Sequence, residues 1–197
     1  NLVSNFNNFK EISKYCNVSQ SKLNIDNKIK FLKTHHLNCK INNYRFAELK
    51  NTLGVIHIVR DPRNVITSLK NHYSKKNYLD AFNFISDPWH CIDVENKTHD
   101  GLDKNLILNT LISSWDNHYN SWKNFSKNYL LIRYEDLEKH PEKTFSHLID
   151  YLNSFLKIKI NSSKINEIIK LNSFENLQNI ENTSGFKEAS IDEKNEK

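Results

Sequence analysis

The run from Gly54 to Ser68 (Gly-Val-Ile-His-Ile-Val-Arg-Asp-Pro-Arg-Asn-Val-Ile-Thr-Ser) concentrates groups that could handle an anion. Arg60 closes an apolar stretch and Ser68 follows eight residues later. A planar guanidinium beside a hydroxyl and a helix N-terminus makes a phosphate site. The same residues also allow a structural reading, in which Arg60 pairs with Asp61 or Asp136 and Ser68 faces solvent. A second set is Lys33-Thr34-His35. A histidine with an ordinary pKa near 6.5 can accept an alcohol proton, and an adjacent lysine can offset charge on a transferring group. A polar chain end that merely contains histidine is the alternative. Tyr134-Glu135-Asp136 offers an aromatic ring for a nucleotide base and two acids that suit a helix start. Ser173-Phe174 offers another ring, for which core packing is the commoner use.

The elements around these residues place them. Three β-rich apolar runs read as strands: Ile29–Thr34, Val55–Val59 and Tyr129–Arg133. Asp61-Pro62 starts a helix, with aspartate as cap and proline at the first position. Leu108, Leu111, Ile112, Trp115, Tyr119 and Trp122 form one stripe on a long helix. Pro141 opens a helix carrying Phe145, Leu148, Ile149 and Leu152, and a last helix carries Ile165, Ile168, Ile169 and Leu171. Strands alternating with helices predict an α/β fold with a parallel sheet covered on both faces. Ligands of such sheets bind beyond the carboxyl ends of the strands, where these residues fall.

Bulk properties narrow the classes. The 197 residues are one domain's worth of chain, 38% hydrophobic and 26% charged, as in a globular protein. A net charge of +5 favours an anionic partner. The basic residues are dispersed, which argues against nucleic acid as that partner. Three separated cysteines (Cys16, Cys39, Cys91) form no CxxC pair, so no zinc knuckle or disulfide framework is expected, and unpaired thiols fit a cytoplasmic location. No apolar run approaches the roughly 20 residues that span a bilayer.

Taken in order, these elements resemble the sulfotransferase family. Its pattern runs Lys-Thr-His, Arg-[Asn/Asp]-Pro-x-[Asp/Asn]-Val-x-x-Ser, Tyr-Glu-Asp and Ser-Phe, matched here by Lys33–His35, Arg60–Ser68, Tyr134–Asp136 and Ser173-Phe174. Ser114-Trp115-Asp-Asn-His118-Tyr-Asn-Ser-Trp122 resembles the family's Ser-Trp-x-x-His-x-x-x-Trp helix, and Gly185-Phe186-Lys-Glu is similar to bacterial and marine members. The resemblance implies a single P-loop-NTPase-like domain over 1–197 and transfer of a sulfuryl group from 3'-phosphoadenosine 5'-phosphosulfate (PAPS) to a small acceptor, with no metal. It implies His35 as general base and Lys33 beside the transferring group. Arg60 and Ser68 would bind the 3'-phosphate, and Tyr134, Ser173 and Phe174 would surround adenine. His118 and the stretch holding Phe82, Phe84, Trp89 and His90 would lie near the acceptor, and a homodimer is compatible with the family.

Two departures shape the expectation. Residues 1–28 contain nothing like the family's Pro-Lys-Ser-Gly-Thr-Thr-Trp loop, and no Arg-Lys-Gly-x-x-Gly-Asp-Trp-Lys segment precedes Lys197. With no methionine present, the domain is expected to be truncated at both ends, inactive as it stands, and active in its parent. Three other readings stay open. A P-loop kinase requires GxxxxGK[ST], which the sequence lacks, and leaves Lys33–His35 without a task. An RNA-binding module requires clustered basic residues. A non-catalytic nucleotide-binding relative is the third.

Overall fold

The computed structural model describes residues 8–23, 25–26, 28–72, 77–92, 109–157 and 160–185. At its centre β3 (Val55–Val59) and β6 (Tyr129–Arg133) pair in parallel, in a register that sets Val55 beside Tyr129 and Val59 beside Arg133. The fold is therefore mixed α/β with a parallel pair flanked by helices, in agreement with the expected class. Leu130 and Ile132 are buried on β6, and His57 is buried at the middle of β3. Helix α4 (Trp115–Lys123) packs on β3 and α6 (Pro141–Asn153) packs on β6. Coverage is incomplete: Ile58 remains 58% exposed.

Helix α2 (Pro62–His72) begins where Asp61-Pro62 predicts it. The Asp61 carbonyl accepts from Asn64 N and Val65 N, and its carboxylate accepts from Arg63 N. Pro141 opens α6 in the same way, and α7 (Ser162–Leu171) carries the last isoleucine stripe. The short α5 (Tyr134–Lys139) starts directly at the end of β6 with Glu135 and Asp136 in its first turn. Gly54 precedes β3 at a close approach, where a Cβ would strike the Tyr151 hydroxyl and ring and lie 3.2 Å from Phe155. That hydroxyl donates to the carbonyls of Val55 and Asn128, at 3.3 and 2.9 Å.

Two predicted elements differ. Residues 28–39 form no strand, although Ile29–Thr34 has strand composition. Ile29, Phe31 and Leu32 are 45%, 66% and 65% exposed. Strand propensity expresses packing against neighbours, and no described strand pairs with this segment. The long helix drawn through Leu111 and Ile112 also starts later. Thr110–Leu111 is β5, antiparallel to β4 (Cys91–Ile92), and Leu108 lies outside the described residues. Ser113 then takes a left-handed φ of 66° and Ser114 adopts an extended cap conformation, which stops helical geometry before Trp115.

Two elements escape a reading based on apolar period. Helix α1 (Phe9–Leu23) buries polar residues, Ser13 and Asn17. It docks on the hairpin of β1 (Lys40–Ile41) and β2 (Tyr44–Arg45), where Ser13 Oγ, Asn17 Nδ2 and Gln20 Nε2 donate to the carbonyls of Ile41, Arg45 and Phe46. The hairpin turn, Asn42-Asn43, has φ of 48° and 71°, the conformation in which asparagine is well tolerated. Helices α3 (Tyr78–Ser86) and α8 (Phe174–Ser184) complete the described elements, α3 beside α2 and α8 beside α7.

Candidate active site

The parallel register builds the first part of the site. Because Val59 stands beside Arg133, the next residues of each chain, Arg60 and Tyr134, emerge together at the carboxyl edge. The Arg60 guanidinium lies over the Tyr134 ring, 4.5 Å from its centroid. Such stacking orders both side chains. Arg60 Nε is buried and has no hydrogen-bond partner among the described residues. One position further on, Asp61 N donates to Glu135 Oε1 at 2.9 Å, so the two strand exits are tied together.

The acids here are occupied. Asp61 is bonded to Arg63, with Nη2 2.5 Å from Oδ2. That hydrogen bond holds the Asp61 carboxyl well below the usual range, at about 2. The bond from Asp61 N lowers Glu135 likewise. Among the described residues no ion pair joins Arg60 to Asp61 or Asp136, whereas Ser68 does face solvent, as the structural reading has it. An unsatisfied, buried guanidinium donor at a strand edge is suited to an anionic oxygen.

Ser68 is exposed, in the second turn of α2. Ser173 caps α8, its Oγ accepting from Asn176 N at 3.3 Å, and Phe174 is 77% exposed. The core explanation for the Phe174 ring is thereby removed. α8 packs on α7, and no contact of Ser173 or Phe174 with Arg60 or Tyr134 is among those described.

The second part of the site surrounds residues 33–38. Lys33 and His35 are exposed, on a segment without regular structure rather than at a strand end. His36, next in the chain, turns inward and stacks on Phe46 with 4.2 Å between centroids and 6° between planes. Burial lowers its pKa. On the other side stands α4. His118 Nε2 lies 3.3 Å from the His35 carbonyl, Trp122 Nε1 donates to the His36 carbonyl at 3.0 Å, and Asn38 N donates to Ser121 Oγ at 3.2 Å. A carbonyl only accepts, so His118 carries its proton on Nε2.

Behind His118 sits a buried group that the sequence reading did not single out. His57 Nδ1 is 2.7 Å from Tyr129 Oη, and the His57 ring lies 5.9 Å from that of His118 and 5.8 Å from that of Tyr119. Burial, and then the neighbouring His118, push the His57 pKa down to about 4. Burial pushes the Tyr129 phenol up to about 12, and burial also lowers His118. The only sign of this cluster in the sequence is a histidine interrupting Val55–Val59. His57 precedes Arg60 by three residues, roughly 10 Å along a strand. His57 and Arg60 are an odd number of residues apart, so along the strand direction they lie toward opposite faces, and the two groups are separate parts of the site.

Among the described residues no group of three or more His, Cys, Asp or Glu could hold a metal ion, and no helix is long and apolar enough to cross a membrane. Gly185 caps α8 with φ of 73°, while the rest of the Gly185–Glu188 motif lies outside the described residues.

Comparison with known proteins supplies the class. The family model described as the sulfotransferase domain matches residues 2–197. The chain belongs to the sulfotransferase family. Among solved structures it is similar to mouse sulfotransferase SULT7A1 complexed with PAP, with 20% identity and a TM-score of 0.45. That match covers 64% of this chain and 40% of the mouse chain, less than half its length. A comparison with curated proteins returns no match.

Proposed function

We propose that the protein transfers a sulfuryl group from PAPS to a hydroxyl or amine of a small acceptor, with His35 as general base. The observation that carries this reading is the Arg60–Tyr134 pair with its buried, unsatisfied Arg60 Nε. The pair suits an anionic group and an aromatic base, and the segment held by α4 presents an exposed imidazole.

The donor nucleotide supplies an activated sulfuryl group at one end and a 3'-phosphate as a handle at the other. Arg60 and Ser68 bind that phosphate, and Tyr134, Phe174 and Ser173 receive the adenine. His35 takes the acceptor proton as the acceptor–sulfur bond forms and the bond from sulfur to the bridging phosphate oxygen breaks. Lys33, two residues before His35, offsets charge on the transferring sulfuryl group. Positioning and charge compensation are the protein's contribution to such an in-line displacement.

The test is a titration of the folded protein with 3'-phosphoadenosine 5'-phosphate and, separately, with AMP. The 3'-phosphorylated nucleotide is expected to bind more tightly. Loss of a charged hydrogen bond costs about 1.5–3 kcal/mol, so Arg60→Ala is expected to weaken its binding roughly ten- to a hundred-fold and erase the preference. Equal affinity of the wild-type protein for both nucleotides would refute the assignment of Arg60.

A further inference from the structure

We infer that α4 is the positioning element for His35: His118 and Trp122 grip two successive carbonyls of the chain and so set where the His35 ring points. The inference rests on the reading of His35 as general base and adds the residues that aim it.

Residues 28–39 have neither helix nor strand, so no ladder of backbone bonds defines their path. Something else must, because a general base works only within hydrogen-bond reach of its proton. His118, Ser121 and Trp122 are three and four residues apart, which places them on one face of α4. Each meets a different backbone group of the same short segment: His35 O, Asn38 N and His36 O. The grip continues beyond them, since Leu37 N donates to Leu111 O at 2.7 Å and His36 N to Thr34 Oγ1 at 3.0 Å.

The gripping side chains are themselves held. Trp122 is 8% exposed, edge-on to Phe46 at 6.2 Å and to Phe125 at 5.7 Å. Ser121 Oγ donates to His118 O at 2.7 Å, and the His118 ring rests against His57. The His36 ring is stacked on Phe46, which also meets Trp122 edge-on. His36 is half-buried against Phe46 while His35, next to it, is exposed, so the backbone held by α4 presents the His35 ring outward. His118 and Trp122 are positioning residues, since both act through the backbone of the residues they hold.

The experiment compares His118→Leu, His118→Gln and Trp122→Phe, each with and without His35→Ala, in a sulfuryl-transfer assay on the full protein. His118→Leu is expected to lower kcat about ten- to a hundred-fold through misplacement of the base, with the KM for donor unchanged. His118→Gln, whose amide N–H can reach the same carbonyl, is expected to recover most of that loss. Trp122→Phe removes the donor together with part of the buried ring, so its folding stability is measured beside its kcat, and it reports on the grip independently of His118→Leu. In the His35→Ala background both losses are expected to vanish, because there is no base left to aim. A loss of equal size with and without His35, or one that falls on donor KM, would overturn the inference. Full activity of His35→Ala by itself would instead refute the general-base reading. The grip is checked separately by NMR relaxation of the His35 ring carbon Cδ2: increased ring motion in His118→Leu is expected, and an unchanged ring overturns the positioning role.

Discussion

Lowering the pH should destabilise this protein through His57. The unfolded chain binds a proton at His57 with the ordinary pKa of 6.5, whereas burial and His118 hold the folded value at about 4. Protonation therefore favours the unfolded state. The stabilisation is fully present above pH 6.5 and is lost as pH falls from 6.5 toward 4. Its full size is about 3 kcal/mol, at roughly 1.4 kcal/mol for each unit of separation. Integrating the linkage from about pH 7 to about pH 5 gives a loss of roughly 2 kcal/mol. With a urea slope of about 1–3 kcal/mol/M, the unfolding midpoint should fall by roughly 1 M over that interval. The assay is urea unfolding followed by circular dichroism at several pH values, on wild type and on His57→Phe. His57→Phe loses the Tyr129 contact and starts from lower stability, so the comparison is of slopes and not of absolute values. The variant should be distinctly less sensitive to acid, retaining only the smaller contributions of His36 and His118, whose pKa values are lowered in the same direction. Identical pH slopes for wild type and variant would refute the reasoning.

Gly54→Ala should destabilise the fold by about 1–3 kcal/mol, because the added methyl drives Tyr151 off the carbonyls of Val55 and Asn128. A urea midpoint within error of wild type would show that α6 shifts freely. Phe174→Ala should leave stability within about 0.5 kcal/mol, since the ring is 77% exposed. If that ring stacks on adenine, the same substitution weakens binding of 3'-phosphoadenosine 5'-phosphate by a stacking contribution of about 1–3 kcal/mol, read by calorimetry. Unchanged affinity would remove Phe174 from the site.

What could be read in advance was local. Val55–Val59 and Tyr129–Arg133 are strands because short apolar runs rich in strand-forming residues stand there, and each meets a partner in the other. The helices from Pro62 and Pro141 begin at prolines that suit a first helical position. Ile29–Thr34 has similar composition but no described partner strand, and composition cannot supply one. Helix α1 stayed hidden because its buried face is Ser13 and Asn17, polar groups that satisfy hairpin carbonyls.

By itself the sequence determined which residues are chemically able: a guanidinium, a hydroxyl, an imidazole and several rings, in an order shared with one family. Tertiary structure alone decided which of them meet. Arg60 and Tyr134 are neighbours because a parallel register places their strands side by side, 74 residues apart in the chain at the Asp61–Glu135 tie. His35 is aimed by His118, 83 residues later, through a carbonyl that every residue possesses. Contacts made by backbone groups leave no mark on residue type, so only the folded chain reveals them.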